Sequence, residues 1–235
     1  MLKLCRWIFA LAFFCSVAVF ASVPADVTEL IMNGDFETGD FQGWNVDNQA
    51  GGSGTFLVAS GTTTPISGFP TAGPAGGTFY ALSDQLGPGA HALSQIFTVP
   101  SAAASAVLSF DMFVNDQSGA GPIVNPAGLD YTAFPNQHVR VDILSADAPV
   151  FDTGTGVLRN FYLGVDPGSN PHAYTHYEFD ITDLVGDGGT FRLRYAEVDN
   201  QFYLHTGVDN VSIQFVSAGA APQHAPLKKY RAVAH

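Results

Sequence analysis

The sequence predicts an all-β fold, an antiparallel β-sandwich, and three observations carry that expectation. Apolar and polar residues alternate at period two: Leu108, Phe110, Met112 and Val114 share one face, and Val139, Val141 and Ile143 alternate with Arg140 and Asp142. Phe191, Leu193 and Tyr195 likewise alternate with Arg192 and Arg194, and Val211, Ile213 and Phe215 with Ser212 and Gln214. Side chains along a strand point alternately to its two faces, so this pattern buries one face and leaves the other polar, as in antiparallel sheets packed on each other. Apolar recurrence at helical spacing over three turns is missing after residue 25. Finally, 25 Gly and 14 Pro, none before residue 24, leave little room for long helices.

Taken in order, the chain opens with a segment that reads as a secretory signal. Lys3 and Arg6 are its positive start, Trp7 to Phe20 is an uncharged run of 14 residues, and small residues follow. That run is short for a membrane span of about 20 residues. The signal is assigned to residues 1–21, with cleavage after Ala21 or as late as Ala25. Strands are then expected at Val27–Met32 and Thr55–Ser60, followed by a Gly/Thr/Pro-rich loop over 61–77. Thr78–Ser83, Ala92–Val99 and the 108–114 stretch come next, then a second long loop over 116–136. The 139–143 stretch, Tyr174–Ile181, the 191–195 stretch, Gln201–His205 and the 211–215 stretch complete the set. Turn signals such as Gly87-Pro88-Gly89 and Asp166-Pro167-Gly168 separate them. The expected organisation is one sandwich domain over 26–217 and a disordered basic tail over 218–235.

Both cysteines, Cys5 and Cys15, lie inside the signal, so the mature chain has no disulfide and depends on its core and on any metal it binds. Residues 26–217 carry 21 acids against four arginines and no lysine, a formal charge of −17. Such a surface repels nucleic acid and anionic membrane and suits divalent cations or neutral partners such as sugars. Mere solubility of a secreted protein is the competing reading of the same charge.

Asn33-Gly34-Asp35-Phe36-Glu37 with Trp44, Leu93-Ser94-Gln95, Leu108-Ser109-Phe110 and Asp209-Asn210-Val211-Ser212 together resemble the galactose-binding-like jelly rolls. That group includes carbohydrate-binding modules and secreted bacterial proteins that often carry a C-terminal Pro-Glu-Pro sorting signal, which this tail lacks. The resemblance spans roughly 27–216 and implies an antiparallel jelly roll whose first and last strands lie side by side. It also implies a structural Ca²⁺ at that junction, with Glu37 and Asp209 as carboxylate ligands and backbone carbonyls near Asp35 and from 76–78. Two carboxylates, carbonyls and water meet the demand of Ca²⁺ for six to eight hard oxygens. The competing reading gives Asp35, Glu37 and Asp209 only turns and backbone hydrogen bonds.

Asp111, Arg140, Asp142, Arg192 and Arg194 project opposite the apolar residues of their strands. On neighbouring strands they would form a polar patch able to hydrogen-bond sugar hydroxyls, with Tyr80, Tyr131, Phe134, Tyr162 and Tyr203 as stacking partners. The competing reading is an internal salt-bridge ladder. Phe36 and Trp44 read as core aromatics. No G-x-S-x-G or H-E-x-x-H motif is present, and His172 with His176 is a weak zinc pair. The expected function is a secreted, non-catalytic module that binds extracellular glycan or exopolysaccharide. The alternatives are a structural or adhesive surface or biofilm-matrix protein without a sugar site, and a glycan hydrolase.

Overall fold

A computed structural model describes residues 26–219; the signal assignment over 1–21 and the tail from residue 220 on lie outside the described residues. The chain forms β1 (Val27–Glu29), β2 (Asn45–Asn48), β3 (Thr55–Ala59), β4 (Tyr80–Asp84), β5 (Gly89–Val99) and β6 (Ala103–Asp116). It continues with β7 (Gln137–Ser145), β8 (Val157–Gly164), β9 (Thr175–Asp180), a single helical turn α1 (Thr182–Val185), β10 (Gly189–Asp199) and β11 (Leu204–Ser217).

These strands make two antiparallel sheets, one in the order β3-β4-β11-β6-β9 with β1 also on β11, the other β2-β5-β10-β7-β8. The fold is an antiparallel jelly-roll β-sandwich. First and last strands are neighbours, with Val27 opposite Val216 and Glu29 opposite Gln214. The alternation read from the sequence sets which face is inside. Leu108, Phe110, Met112 and Val114 of β6 meet Val139, Val141 and Ile143 of β7 and Leu193 and Tyr195 of β10 in the main core. Phe36 and Trp44 join that core with ring centroids 5.5 Å apart, and the Trp44 indole N–H donates to the Asn33 carbonyl at 3.1 Å.

Three differences from the sequence reading matter for function. The separate strands expected at 201–205 and 211–215 are one strand, β11, which begins at Leu204 and runs through a bulge between Asp209 and Ser212. Residues 201–203 are therefore a turn, not a strand. Strands β2 and β8 were not anticipated; both lie at edges of the five-stranded sheet, where pairing is one-sided and the sequence pattern is weak.

Part of the outer face of each sheet is covered by the chain's own loops. Leu129, Tyr131, Val150 and Phe151 pack on Ala90, Ala92, Ala196 and Val198 outside the five-stranded sheet. Ala72 and Tyr174 pack on Tyr80, Leu82 and Phe113, with Leu57 of β3 alongside, on the outer face of the six-stranded sheet. Single-sheet alternation does not reveal such covers, because they are supplied by segments distant in sequence.

Candidate functional site

At the junction of the chain ends, Gly34 lies so close to β11 that a Cβ there would sit 1.8 Å from the Val211 carbonyl oxygen. The Gly34 carbonyl in turn accepts the Val211 N–H at 2.8 Å. The close approach is why glycine stands in the Asn33-Gly34 turn. From this turn Glu37 Oε1 accepts the N–H groups of Thr78 and Phe79, at 2.7 and 2.8 Å. Asp209 Oδ2 accepts those of Ala75 and Gly76 at 2.8 and 3.1 Å, and Oδ1 that of Asn210. Gly77 between them has φ +59°, and a Cβ on it would lie 2.4 Å from Glu37 Oε1. The structure thus brings Glu37 and Asp209 to one five-residue segment, 75–79. Asp35 is exposed and its carboxylate accepts the Glu37 N–H at 3.3 Å.

The N–H bonds from Phe79 and Thr78 hold the exposed Glu37 carboxyl below its usual pKa, whereas burial pushes Asp209 up. Two carboxylates converging on one segment fit a divalent ion in charge, and Glu37 Oε2 has no hydrogen bond within the described chain. Among the described residues, no group of three or more His, Cys, Asp or Glu side chains is placed to hold a metal. Any further oxygens would be backbone carbonyls and water.

The expected polar patch is not a surface patch. Asp142 and Arg194 are wholly buried and Arg140 is 8% exposed. Arg140 Nε and Nη2 donate to Asp142 at 2.7 and 2.8 Å, and Arg194 Nη2 donates to the same carboxylate. Arg194 Nη1 donates to the Val150 and Asp152 carbonyls, in the segment that covers this face. The two guanidinium groups hold the buried Asp142 carboxyl below its usual range against the opposing effect of burial. Arg192 donates to the Ala146 carbonyl at 3.1 Å. Asp111 lies on β6, in the other sheet, where it pairs with His176 at 2.8 Å and accepts the Asn210 amide at 2.7 Å. The assignment of Asp111, Arg140, Asp142, Arg192 and Arg194 to one ligand face is therefore corrected. Arg140, Asp142 and Arg194 form a buried ion cluster, Arg192 bonds the Ala146 carbonyl beside it, and Asp111 is on the opposite side of the sandwich.

Tyr80 is corrected too: it is fully buried, its hydroxyl 2.9 Å from Thr71 Oγ1 and 3.1 Å from the Gly61 carbonyl. Tyr131 and Tyr162 are tied internally, to the Ala50 carbonyl and to Asp166. Of the aromatic residues named as stacking partners, Tyr203 and Phe134 remain. Both stand at the end of the sandwich where the β10–β11 turn meets the β4–β5 turn.

A shallow cleft of about 180 Å³ opens there, lined by Leu86, Gly87, Pro88, Asn200, Gln201, Phe202 and Tyr203. Phe202 is 50% exposed and Leu86 62%, while Phe134 nearby is 73% exposed. The Phe202 and Tyr203 rings are 4.4 Å apart, and Phe69 lies 5.0 Å from Tyr203. Asn200 is held in place by donating to the Tyr131 and Ala133 carbonyls. No Lys, Arg, Asp or Glu lines the cleft. Sequence reasoning missed Gln201 and Phe202 because 201–205 read as strand, and Leu86 because Gly87-Pro88-Gly89 beside it read only as a turn. The available signal was two adjacent aromatics beside Asn200-Gln201, opposite Gly87-Pro88-Gly89.

Beneath this cleft Ser67, Asp84 and His205 meet. Ser67 Oγ is 2.6 Å from Asp84 Oδ1 and 2.8 Å from His205 Nε2. A hydroxyl has one proton, and at this distance the carboxylate takes it. His205 Nε2 must then donate to Ser67 rather than accept from it. Asp84 adjoins Nε2, at 3.5 Å, and His205 Nδ1 is buried without a partner. A nucleophilic triad needs the reverse: a base accepting from serine, with its far nitrogen held by the acid. This constellation anchors the 61–77 loop and does not activate Ser67.

No protein-family model matches the chain, and the search of curated proteins gives no match. Several solved structures superpose on the chain. A carbohydrate-binding module, CBM61, solved with β-1,4-galactotriose superposes with a TM-score of 0.50 at 12% identity, covering 79% of this chain and 97% of that one. The Stig cyclase Fisc from Fischerella sp. TAU gives 0.47 at 16% identity, over 83% of this chain and 100% of that one. The CBM22 tandem domain of Paenibacillus barcinonensis Xyn10C gives 0.46 at 13%, over 88% of this chain and 50% of that one. The first of these is a carbohydrate-binding module of β-sandwich fold, and the likeness is one of fold.

Proposed function

We propose that this chain is a secreted, non-catalytic glycan-binding module whose recognition surface is the aromatic cleft between the 86–88 and 200–203 turns. The observation that carries the reading is Phe202, half exposed beside Tyr203 in a concave site with carboxamides and no charged side chain. Aromatic faces stack on the apolar faces of sugar rings, and hydroxyl and amide groups then fix orientation. Neither the Tyr203 hydroxyl nor the Gln201 carboxamide oxygen has a hydrogen-bond partner among the described residues, so both are open to sugar hydroxyls. The jelly-roll fold shared with a module solved on a galactotriose supports the class of ligand. Secretion is supported by the signal-like start. Among the described residues no helix is long and apolar enough to cross a membrane.

A structural Ca²⁺ at the Glu37–Asp209 junction belongs to the same proposal. It is supported by the convergence of two carboxylates on segment 75–79, and it would stabilise the fold without taking part in recognition.

The test is a polysaccharide panel that includes β-1,4-galactan, xylan and bacterial exopolysaccharides. Wild type is expected to be retained on at least one of them, and Phe202→Ala and Tyr203→Ala are each expected to weaken retention by about tenfold, with unchanged melting temperature. Retention on none returns the structural or adhesive reading. Retention that both variants leave intact puts the site elsewhere.

A further inference from the structure

We infer that Asp199 is the positioning residue of this cleft: one buried carboxylate ties its two walls together, and the cleft keeps its shape for ligand only while that carboxylate is ionised. The functional half of this inference rests on the glycan reading; the structural half does not.

Asp199 ends β10 and has no exposure. Its Oδ1 accepts the Gln201 N–H at 2.9 Å, and the Phe202 N–H next in the chain favours the charged form of the carboxylate. The Gln201 bond pins the start of the turn that carries Phe202 and Tyr203. Its Oδ2 accepts from Gln85 Nε2 at 2.7 Å. Gln85 directly precedes Leu86-Gly87-Pro88, the opposite wall. A single side chain thus receives donors from both turns.

The surroundings make its charge costly. On β10 the nearest inward-facing acid is the wholly buried Glu197. Gln137 of β7 and Gly89 of β5 stand opposite Asp199, and His91 of β5 stands opposite Glu197. Asp116 at the end of β6 repels Asp199, while Asp84 of β4 repels Glu197 and meets His205 of β11. Neither Lys nor Arg is among these groups. Burial, with the Asp116 charge adding to it, lifts the Asp199 pKa to about 6, even though the N–H and amide donors oppose the rise. Burial likewise lifts Glu197 to about 8.

Protonation exchanges charge-assisted hydrogen bonds for weaker neutral ones. The new O–H also needs an acceptor. Gln85 Oε1, buried and without a partner, is on the amide already in contact, but reaching it requires that amide to turn over. Gln85 Nε2 then loses its acceptor. Both walls are disturbed by one proton.

The test reads the walls directly, without ligand. In an NMR titration of wild type between about pH 4.5 and 8, the backbone amides of Gln201 and Phe202 and the side-chain amide of Gln85 are expected to shift together, with one midpoint near 6. Asp199→Asn abolishes that shared transition. Glu197→Gln keeps it at the same midpoint, because Glu197, lifted to about 8, is already neutral near pH 6. Flat amides, or a transition that survives in Asp199→Asn, overturn the inference. On any panel polysaccharide that wild type retains at pH 7.5, affinity is expected to fall about tenfold at pH 5, and Asp199→Asn to lose that dependence. Affinity independent of pH overturns the gating. A panel silent at pH 7.5 removes the glycan reading, while the amide titration still decides the role of Asp199.

Discussion

Asp142 sits without exposure between Arg140 and Arg194, and its removal strands two buried guanidinium groups. Asp142→Ala is expected to destabilise the domain by about 3–5 kcal/mol in urea unfolding, the usual cost of breaking a buried ion pair. A loss below about 1 kcal/mol would mean that water reaches the cluster. Tyr80→Phe removes hydrogen bonds to Thr71 and Gly61 and is expected to cost about 1–2 kcal/mol without altering retention on any polysaccharide. Weakened retention by a stably folded variant would restore Tyr80 to the recognition surface. The sequence made the direction of Arg140, Asp142 and Arg194 legible, since each points away from the apolar residues of its strand. What lies over them was not legible. The Val150 and Asp152 carbonyls that meet Arg194 come from a segment more than forty positions away.

Three acidic side chains anchor loop 61–77 and the two residues after it. Asp84 accepts the Ile66 and Ser67 N–H groups, Asp209 those of Ala75 and Gly76, and Glu37 those of Thr78 and Phe79 just beyond the loop. A long Gly/Thr/Pro-rich loop was readable from composition. Its being held flat on a sheet was not, because each anchor is a long-range contact. With Ca²⁺ bound, the melting temperature is expected to rise on adding Ca²⁺ and to fall in EDTA, and Glu37→Gln and Asp209→Asn each to abolish that difference. Identical melts with and without EDTA would leave a clasp made by N–H groups alone. The bulge in β11 that turns Asp209 toward this segment includes Asn210 at φ +51°. It explains why the periodicity of β11 changes phase and why one strand read as two.

Across the whole molecule, buried titratable groups pull stability in opposite directions. Burial raises Glu197 to about 8 and Asp199 to about 6, and it lowers His91 and His138 each to about 4. A raised carboxyl contributes stability that is present at low pH and lost as pH rises through its folded value. A lowered histidine contributes stability that is present above about 6.5 and lost as pH falls toward its folded value. Between about pH 4.5 and 6 the two pairs nearly cancel, and above 6.5 only Glu197 still titrates. Stability is expected to fall by about 2 kcal/mol from pH 6.5 to 8 in wild type and to stay level in Glu197→Gln. Equal decline in both would place the proton elsewhere. The two-sheet architecture was legible because period-two alternation and turn residues are local signals. The cleft was not, because it forms only where two turns far apart in sequence come together. Sugar binding in this cleft is read by equilibrium retention of wild type and Phe202→Ala on the polysaccharide panel at pH 7.5. Wild type is expected to be retained on a neutral polysaccharide and the variant to lose about tenfold; equal retention of the two proteins would rule out recognition at Phe202.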